Sequence, residues 1–302
     1  MPRRYAVLDV FTDRPLEGNP LAVVLDADGL DDKRMQAIAA EFNLSETVFV
    51  APPVNPVHSA SVRIFTPRRE LPFAGHPTVG TAALLAIRRV AGLAGRQEMV
   101  LVLEEKIGPV RCGVTVVRPD LARAIFDVPV AAAEVGLARG REAVAAALGL
   151  ARPEIGFENH QPTVFSAGVP FVFVPVRDLA VIARARPVPS LWGEAFGADS
   201  VGAFLYCRET QVAGRHFHAR MFAPGSGIAE DPATGSAAAA FVGVIRRFDG
   251  PPAGSHRFII EQGFEMGRPS LIGLEIDLDR GEVVAARIAG DAVKIAEGEL
   301  DA

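Results

Sequence analysis

Four side chains have types and neighbours suited to moving protons: Glu46, His76, Asp231 and Ser236. Glu46 lies in Asn43-Leu44-Ser45-Glu46-Thr47-Val48-Phe49, at the entrance to a strand pattern. By position alone it reads as a solvated carboxylate; by type it can serve as a base. His76 stands between Gly75 and Pro77 at the expected start of a helix, where a structural and a functional role fit equally. Asp231 follows Glu230 and precedes Pro232, which suits a helix cap or one member of a coupled acid pair. Ser236, next to Gly235, offers either a hydrogen-bond donor or a small residue for close packing. These are residue types that general acid–base catalysis uses, each with a structural role open beside it. Other chemistries find less support. His216-Phe217-His218 sets two imidazoles on one strand face with no third ligand at useful spacing, so no metal is assigned. Gly225-Ser226-Gly227 lacks the third glycine and the helix pattern of a dinucleotide loop. There is no Walker lysine motif and no G-x-S-x-G, so a nucleophile elbow in its usual form is excluded.

These residues need elements to hold them. Strand patterns cover residues 5–11, 21–25, 47–50 and 61–65, with a turn at Glu17-Gly18-Asn19-Pro20. Residues 31–42 carry helical spacing, with Met35, Ile38, Ala39 and Phe42 on one face and Asp31 or Asp32 as cap. Residues 77–89 read as a helix that is small and apolar on most faces, hence buried. Strands follow at 99–103, 110–117 and 122–128. Around Pro129 the pattern loosens, which puts a boundary between residues 1–129 and 130–302. The second part holds a helix at 143–148 and strands at 171–176, 201–206 and 217–222. A small-residue helix at 235–245 comes next, then strands at 258–261, 271–278, 283–288 and 292–295. Asp279-Arg280-Gly281 and Gly290-Asp291 carry hairpin-turn chemistry. The last strands belong either to this half or back with the first.

The two parts repeat each other. Arg63-Ile64-Phe65-Thr66-Pro67 matches Arg220-Met221-Phe222-Ala223-Pro224, and His76-Pro77-Thr78-Val79-Gly80-Thr81 matches Asp231-Pro232-Ala233-Thr234-Gly235-Ser236. In this alignment the second loop is two residues shorter, and His76 and Asp231 sit at the caps of two buried helices with proline in the first turn. Free N–H groups and the positive dipole end make such helix starts sites for anions, here a carboxylate or an enolate-like intermediate.

Composition narrows the function class. The chain has 302 residues, 49% of them apolar, and a net charge of −5. That suits two packed domains and lacks the basic stripe of a nucleic-acid binder. Cys112 and Cys207 are far apart without a CxxC, as expected of buried thiols in a reducing compartment. Acidic residues interrupt the N-terminal apolar run, and no run approaches the ~20 residues of a membrane helix. A cytoplasmic location is expected.

Four segments in this order resemble the phenazine-biosynthesis isomerase (PhzF-like) family: Gly18-Asn19-Pro20-Leu21-Ala22-Val23, Leu44-Ser45-Glu46-Thr47, Gly75-His76-Pro77-Thr78-Val79-Gly80 and Glu230-Asp231-Pro232-Ala233-Thr234-Gly235-Ser236-Ala237. The resemblance spans essentially the whole chain. It implies the α+β diaminopimelate-epimerase-like fold: two pseudo-symmetric domains, each a barrel-like, mostly antiparallel sheet around a central helix, with the active site in the interdomain cleft. It further implies a cofactor-independent isomerase acting on a small carboxylate-bearing metabolite, a homodimer, and catalytic roles for Glu46 as acid/base with His76, Asp231 and Ser236 in support. The substrate carboxylate is expected on backbone N–H groups near Gly75 and Gly235. Burial is expected to raise the Glu46 pKa. Diaminopimelate epimerases use two cysteines, one at each helix start. This chain has none there, which disfavours a two-thiol racemase. An epimerase or dehydratase of an amino or hydroxy acid, and a non-catalytic binding protein, are the alternatives.

Overall fold

A computed structural model describes residues 2–197 and 202–302. The expected strand at 201–206 therefore has its first residue, Val201, outside the described residues. The chain divides into two compact units, residues 1–129 with 287–302, and residues 130–286.

The first unit contains β1 (Pro2–Val10), β2 (Asn19–Val24), α1 (Asp32–Phe42), β3 (Glu46–Ala51), β4 (Ala60–Phe65), β5 (Glu70–Leu71), α2 (Gly75–Arg89), β6 (Gln97–Glu105), β7 (Gly108–Arg118) and β8 (Leu121–Asp127). Asp31 caps α1 by accepting from the Arg34 N–H at 2.8 Å. The second unit contains β9 (Ala133–Gly136), α3 (Arg141–Ala147), β10 (Thr163–Ser166), β11 (Pro170–Pro175), α4 (Leu179–Arg184) and α5 (Pro189–Phe196). It continues with β12 (Ala203–Cys207), β13 (Phe217–Ala223), β14 (Ile228–Asp231), α6 (Gly235–Phe248), β15 (Gly254–Gln262) and β16 (Ser270–Asp279). β17 (Glu282–Asp301) follows a turn at Arg280 and Gly281, and from Arg287 onward it belongs to the first unit.

In the first unit the ladder closes on itself. β1 pairs with β2, β2 with β3, β3 with β4, β4 with β6, β6 with β7, β7 with β8, β8 with β17, and β17 with β1. The resulting barrel has α2 as its core, packed on β1, β2, β3, β6, β7 and β8. Pairs β2–β3 and β4–β6 are parallel. Parallel neighbours need a crossover; α1 supplies the first, on the outside, and α2 the second, through the middle.

The second unit repeats that sequence of pairings. β10–β11 is antiparallel, β11–β12 parallel, β12–β13 antiparallel, β13–β15 parallel and β15–β16 antiparallel. α6 is its central helix, packed on β9, β10, β11 and β16. Small residues allow the close wrapping. A Cβ on Gly80 would lie 2.6 Å from Leu21 Cδ2, and one on Gly243 would lie 2.3 Å from the Phe165 ring.

Register shows the duplication in detail. Glu104 accepts from the Val54 and Asn55 N–H groups and from His58, closing the loop between β3 and β4. Glu261 does the same for Gln211, Val212 and Arg215, between β12 and β13. Arg63 pairs with Glu70 and lies over Phe65; Arg220 pairs with Glu230 and lies over Phe222.

Register also corrects the sequence alignment. Ile64 faces Leu71, and Met221 faces Asp231. Leu71-Pro72 therefore corresponds to Asp231-Pro232, and Gly75-His76 to Gly235-Ser236. The second loop is longer, not shorter. Asp231 ends a strand rather than capping a helix; the N-caps are Ala74 and Thr234. α2 also begins two residues before the expected Pro77. Glu230 is engaged by Arg220 at 2.7 and 2.8 Å, which commits its carboxylate to a guanidinium.

The expected turn at Gly290-Asp291 is continuous strand, paired with Ala124 and Arg123. Its glycine serves close approach instead, since a Cβ there would lie 2.3 Å from the Phe11 ring. Among the described residues no helix is long and apolar enough to cross a membrane.

Helix interiors ordinarily gain up to ~1 kcal/mol from Gly→Ala. At position 243 the new methyl meets a rigid aromatic ring, so Gly243→Ala is expected to lose about 1–3 kcal/mol in urea unfolding. A stabilised variant would contradict this packing.

Candidate active site

Glu46 is the first residue of β3 and lies beside Leu21 of β2 in the parallel ladder. Its side chain is only 13% exposed, so it is not the solvated carboxylate that position alone suggests. His76 is the second residue of α2 and is 3% exposed. Its Nδ1 lies 3.4 Å from Glu46 Oε2 and 3.4 Å from Asn19 Nδ2. Burial pulls the His76 pKa down to about 3, against a backbone hydrogen bond with Pro20. The ring is therefore neutral, and its 3.4 Å approach to Glu46 is not an ion pair. Among the described residues its Nε2 is buried without a hydrogen-bond partner. Gly75, which precedes it, opens α2, and no side chain caps that end. The first N–H groups of the helix thus have no intrahelical acceptor and stand at the positive end of the dipole.

Asn19 is a site neighbour for which the sequence suggested no role, although it lies within the Gly18-Asn19-Pro20 segment. Gly18 makes its placement feasible. It has φ 67°, and a Cβ there would meet the Val10 carbonyl oxygen at 2.4 Å.

In the second unit, Asp231 is 4% exposed. The Thr234 hydroxyl donates to Asp231 Oδ2 at 2.6 Å. Gln262, the last residue of β15, braces this turn. Its Nε2 donates to the Asp231 carbonyl at 2.7 Å and to Thr234 Oγ1 at 3.0 Å, and its Oε1 accepts from the Thr234 N–H at 3.1 Å. Gly263 follows in a left-handed conformation, with room for no side chain against the Pro232 carbonyl. Gly235 and the half-buried Ser236 open α6, which again has no side-chain cap. Gln262 falls one residue beyond the strand expected at 258–261, which is why the sequence did not single it out.

The remaining chemically suggestive groups have structural partners. His218 is buried between Glu261 at 2.9 Å and Glu265 at 3.0 Å. Burial opposes its charge, but the two carboxylates prevail and its pKa is raised. His216 accepts from the Ile259 N–H. Cys112 and Cys207 lie in β7 and β12, and burial pushes both thiols up, Cys207 to about 12. Neither supplies a thiolate, and the N-caps Ala74 and Thr234 are not cysteines.

The description "phenazine biosynthesis-like protein" is that of the family model that matches residues 8–298. An isomerase of Mesorhizobium japonicum is 53% identical over 99% of this chain and 98% of its own. The trans-2,3-dihydro-3-hydroxyanthranilate isomerase of Pseudomonas aeruginosa is 36% identical over 98% of each chain. A solved PhzF-family phenazine biosynthesis protein of Bacillus anthracis superposes with a TM-score of 0.87 over 100% of both chains, at 28% identity.

The neutral His76 has a measurable consequence. An unfolded histidine gains its proton near pH 6.5, whereas His76 resists until about 3. The folded state then binds fewer protons across that window, so stability falls as pH drops through it, by at most ~1.4 kcal/mol per pH unit. NMR of the imidazole is expected to show no protonation down to about pH 5, and His76→Asn to reduce the acid slope. A ring that titrates normally would contradict the burial argument.

Proposed function

This chain belongs to the phenazine biosynthesis-like protein family and is an isomerase, and we propose that it shifts a proton within a small carboxylate-bearing metabolite, with Glu46 as acid and base. The observation that carries this reading is the Glu46 carboxyl group held 3.4 Å from a buried, neutral histidine in the uncapped first turn of α2.

Ionised Glu46 takes a proton from a carbon activated by a conjugated carbonyl or carboxylate. The C–H electron pair moves into the conjugated system, where backbone N–H groups at Gly75 and Gly235, His76 and Ser236 stabilise the charge. Glu46 then returns the proton to another carbon of the same molecule. Asp231, held by Thr234 and Gln262, positions the substrate. No cofactor takes part in this proposal.

The duplication supports a single base. The register that aligns β3 with β12 puts Gly202 opposite Glu46 in the repeat. A side chain at 202 would meet the Phe222 carbonyl at 2.8 Å and Met221 Sδ at 2.9 Å. The acid/base group therefore occurs once, which suits transfer along one face better than two-base inversion.

The test is 1H NMR in D2O, beginning with trans-2,3-dihydro-3-hydroxyanthranilate and extending to other unsaturated carboxylates. Relocation of a double bond with deuterium at the receiving carbon is expected. Inversion of one centre without such relocation would favour an epimerase. Binding without any exchange would overturn the catalytic reading.

A further inference from the structure

Behind the first turn of α2, Thr78 Oγ1 lies 2.8 Å from the Ala74 carbonyl oxygen and 2.7 Å from Glu105 Oε1. A hydroxyl donates one proton, and a carbonyl oxygen has none to offer. Thr78 can satisfy both neighbours only if Glu105 brings a proton of its own. With Glu105 as a carboxylic acid the chain closes: its O–H donates to Thr78, and Thr78 donates to Ala74, the N-cap of α2.

The surroundings agree. Glu105 is 6% exposed, and among the described residues its Oε2 has no hydrogen-bond partner. An ionised carboxylate in that place would be buried without the donors it needs. Burial pushes its pKa up to about 8. On the neighbouring strand β7 Cys112 lies close enough to feel the Glu105 carboxyl, and its own thiol is raised and stays neutral. On β6 itself, Glu104 is taken up by the loop at Val54 and Asn55; the next residue, Lys106, is paired with Glu70.

The second unit has the same device in another residue type. Alignment of β4–β6 with β13–β15 equates Glu105 with Gln262. Gln262 donates to Thr234 Oγ1, and Thr234 donates onward to Asp231. A neutral donor, a threonine hydroxyl and an acceptor at the helix start recur in both halves.

We propose that Glu105 is a positioning residue that works as a neutral carboxylic acid, locking the Ala74–Thr78 turn and with it the Gly75–His76 helix start. Its catalytic meaning rests on the function proposed above; the lock itself does not.

The test needs no substrate. Urea unfolding and amide exchange over residues 74–80, corrected for intrinsic rates, are followed from about pH 6 to 9 in wild type, Glu105→Gln and Glu105→Leu. An unfolded glutamate ionises near 4.5 while the folded one keeps its proton to about 8. The folded state thus binds more protons in that window. Wild-type stability is expected to fall as pH rises toward 8 and then level, with exchange in the first turn accelerating above it. Glu105→Gln should restore the donor, lose the slope and keep the turn protected throughout. Glu105→Leu should leave the turn fast-exchanging at every pH. A Gln variant with the wild-type slope, or one no better protected than Leu, overturns the proposal. So does a wild type whose unfolding midpoint stays flat over this range. Failure here would leave the proton-shift reading untouched, and failure of that reading would leave this one standing.

Discussion

A helix buried on all sides must still do something with its first N–H groups. In α2 and α6 no side chain caps them, and a buried donor left without an acceptor costs ~1–3 kcal/mol. The dipole adds about half a positive charge at the same place. Much of the molecule is arranged around this constraint. Small residues let strands wrap the helices. Tight loops at Gly18 and Gly263 bring Asn19 and Pro232 close to the helix starts. Glu105 and Gln262 brace the two turns from below. In the proposed reaction the substrate carboxylate is the acceptor for what remains.

Duplication supplies the frame, and divergence within it supplies the chemistry. The framing interactions are kept in both halves: Glu104 and Glu261 closing loops, Arg63 and Arg220 gripping a glutamate and an aromatic ring. The differences gather at the helix starts. Leu71 becomes Asp231, Ala74 becomes Thr234, His76 becomes Ser236, and Glu46 has Gly202 as its counterpart. One half thereby holds a carboxylate beside a neutral imidazole, the other a braced aspartate and a hydroxyl. The proposed one-base proton shift draws on that asymmetry between the halves.

The sequence revealed the elements and the four segments that resemble the family, because apolar periodicity and turn residues are local signals. It failed where the deciding information was the register between distant strands. His76-Pro77 and Asp231-Pro232 align well by residue type, yet strand pairing equates Asp231 with Leu71. Gly290-Asp291 looked like a turn because the ring that demands the glycine, Phe11, is far away in sequence. The short helices α4 and α5 fell below the length at which periodicity speaks. Asn19 and Gln262 were missed because an amide shows its role only through the groups it meets.

The central claim is that the Glu46 carboxylate itself moves the proton. Its most direct test is solvent-deuterium incorporation by Glu46→Gln, which keeps the shape of the side chain and removes its basicity. The account predicts a folded protein that binds the carboxylate substrate and incorporates no deuterium above background. Exchange at the wild-type rate in that variant would assign the chemistry to another residue.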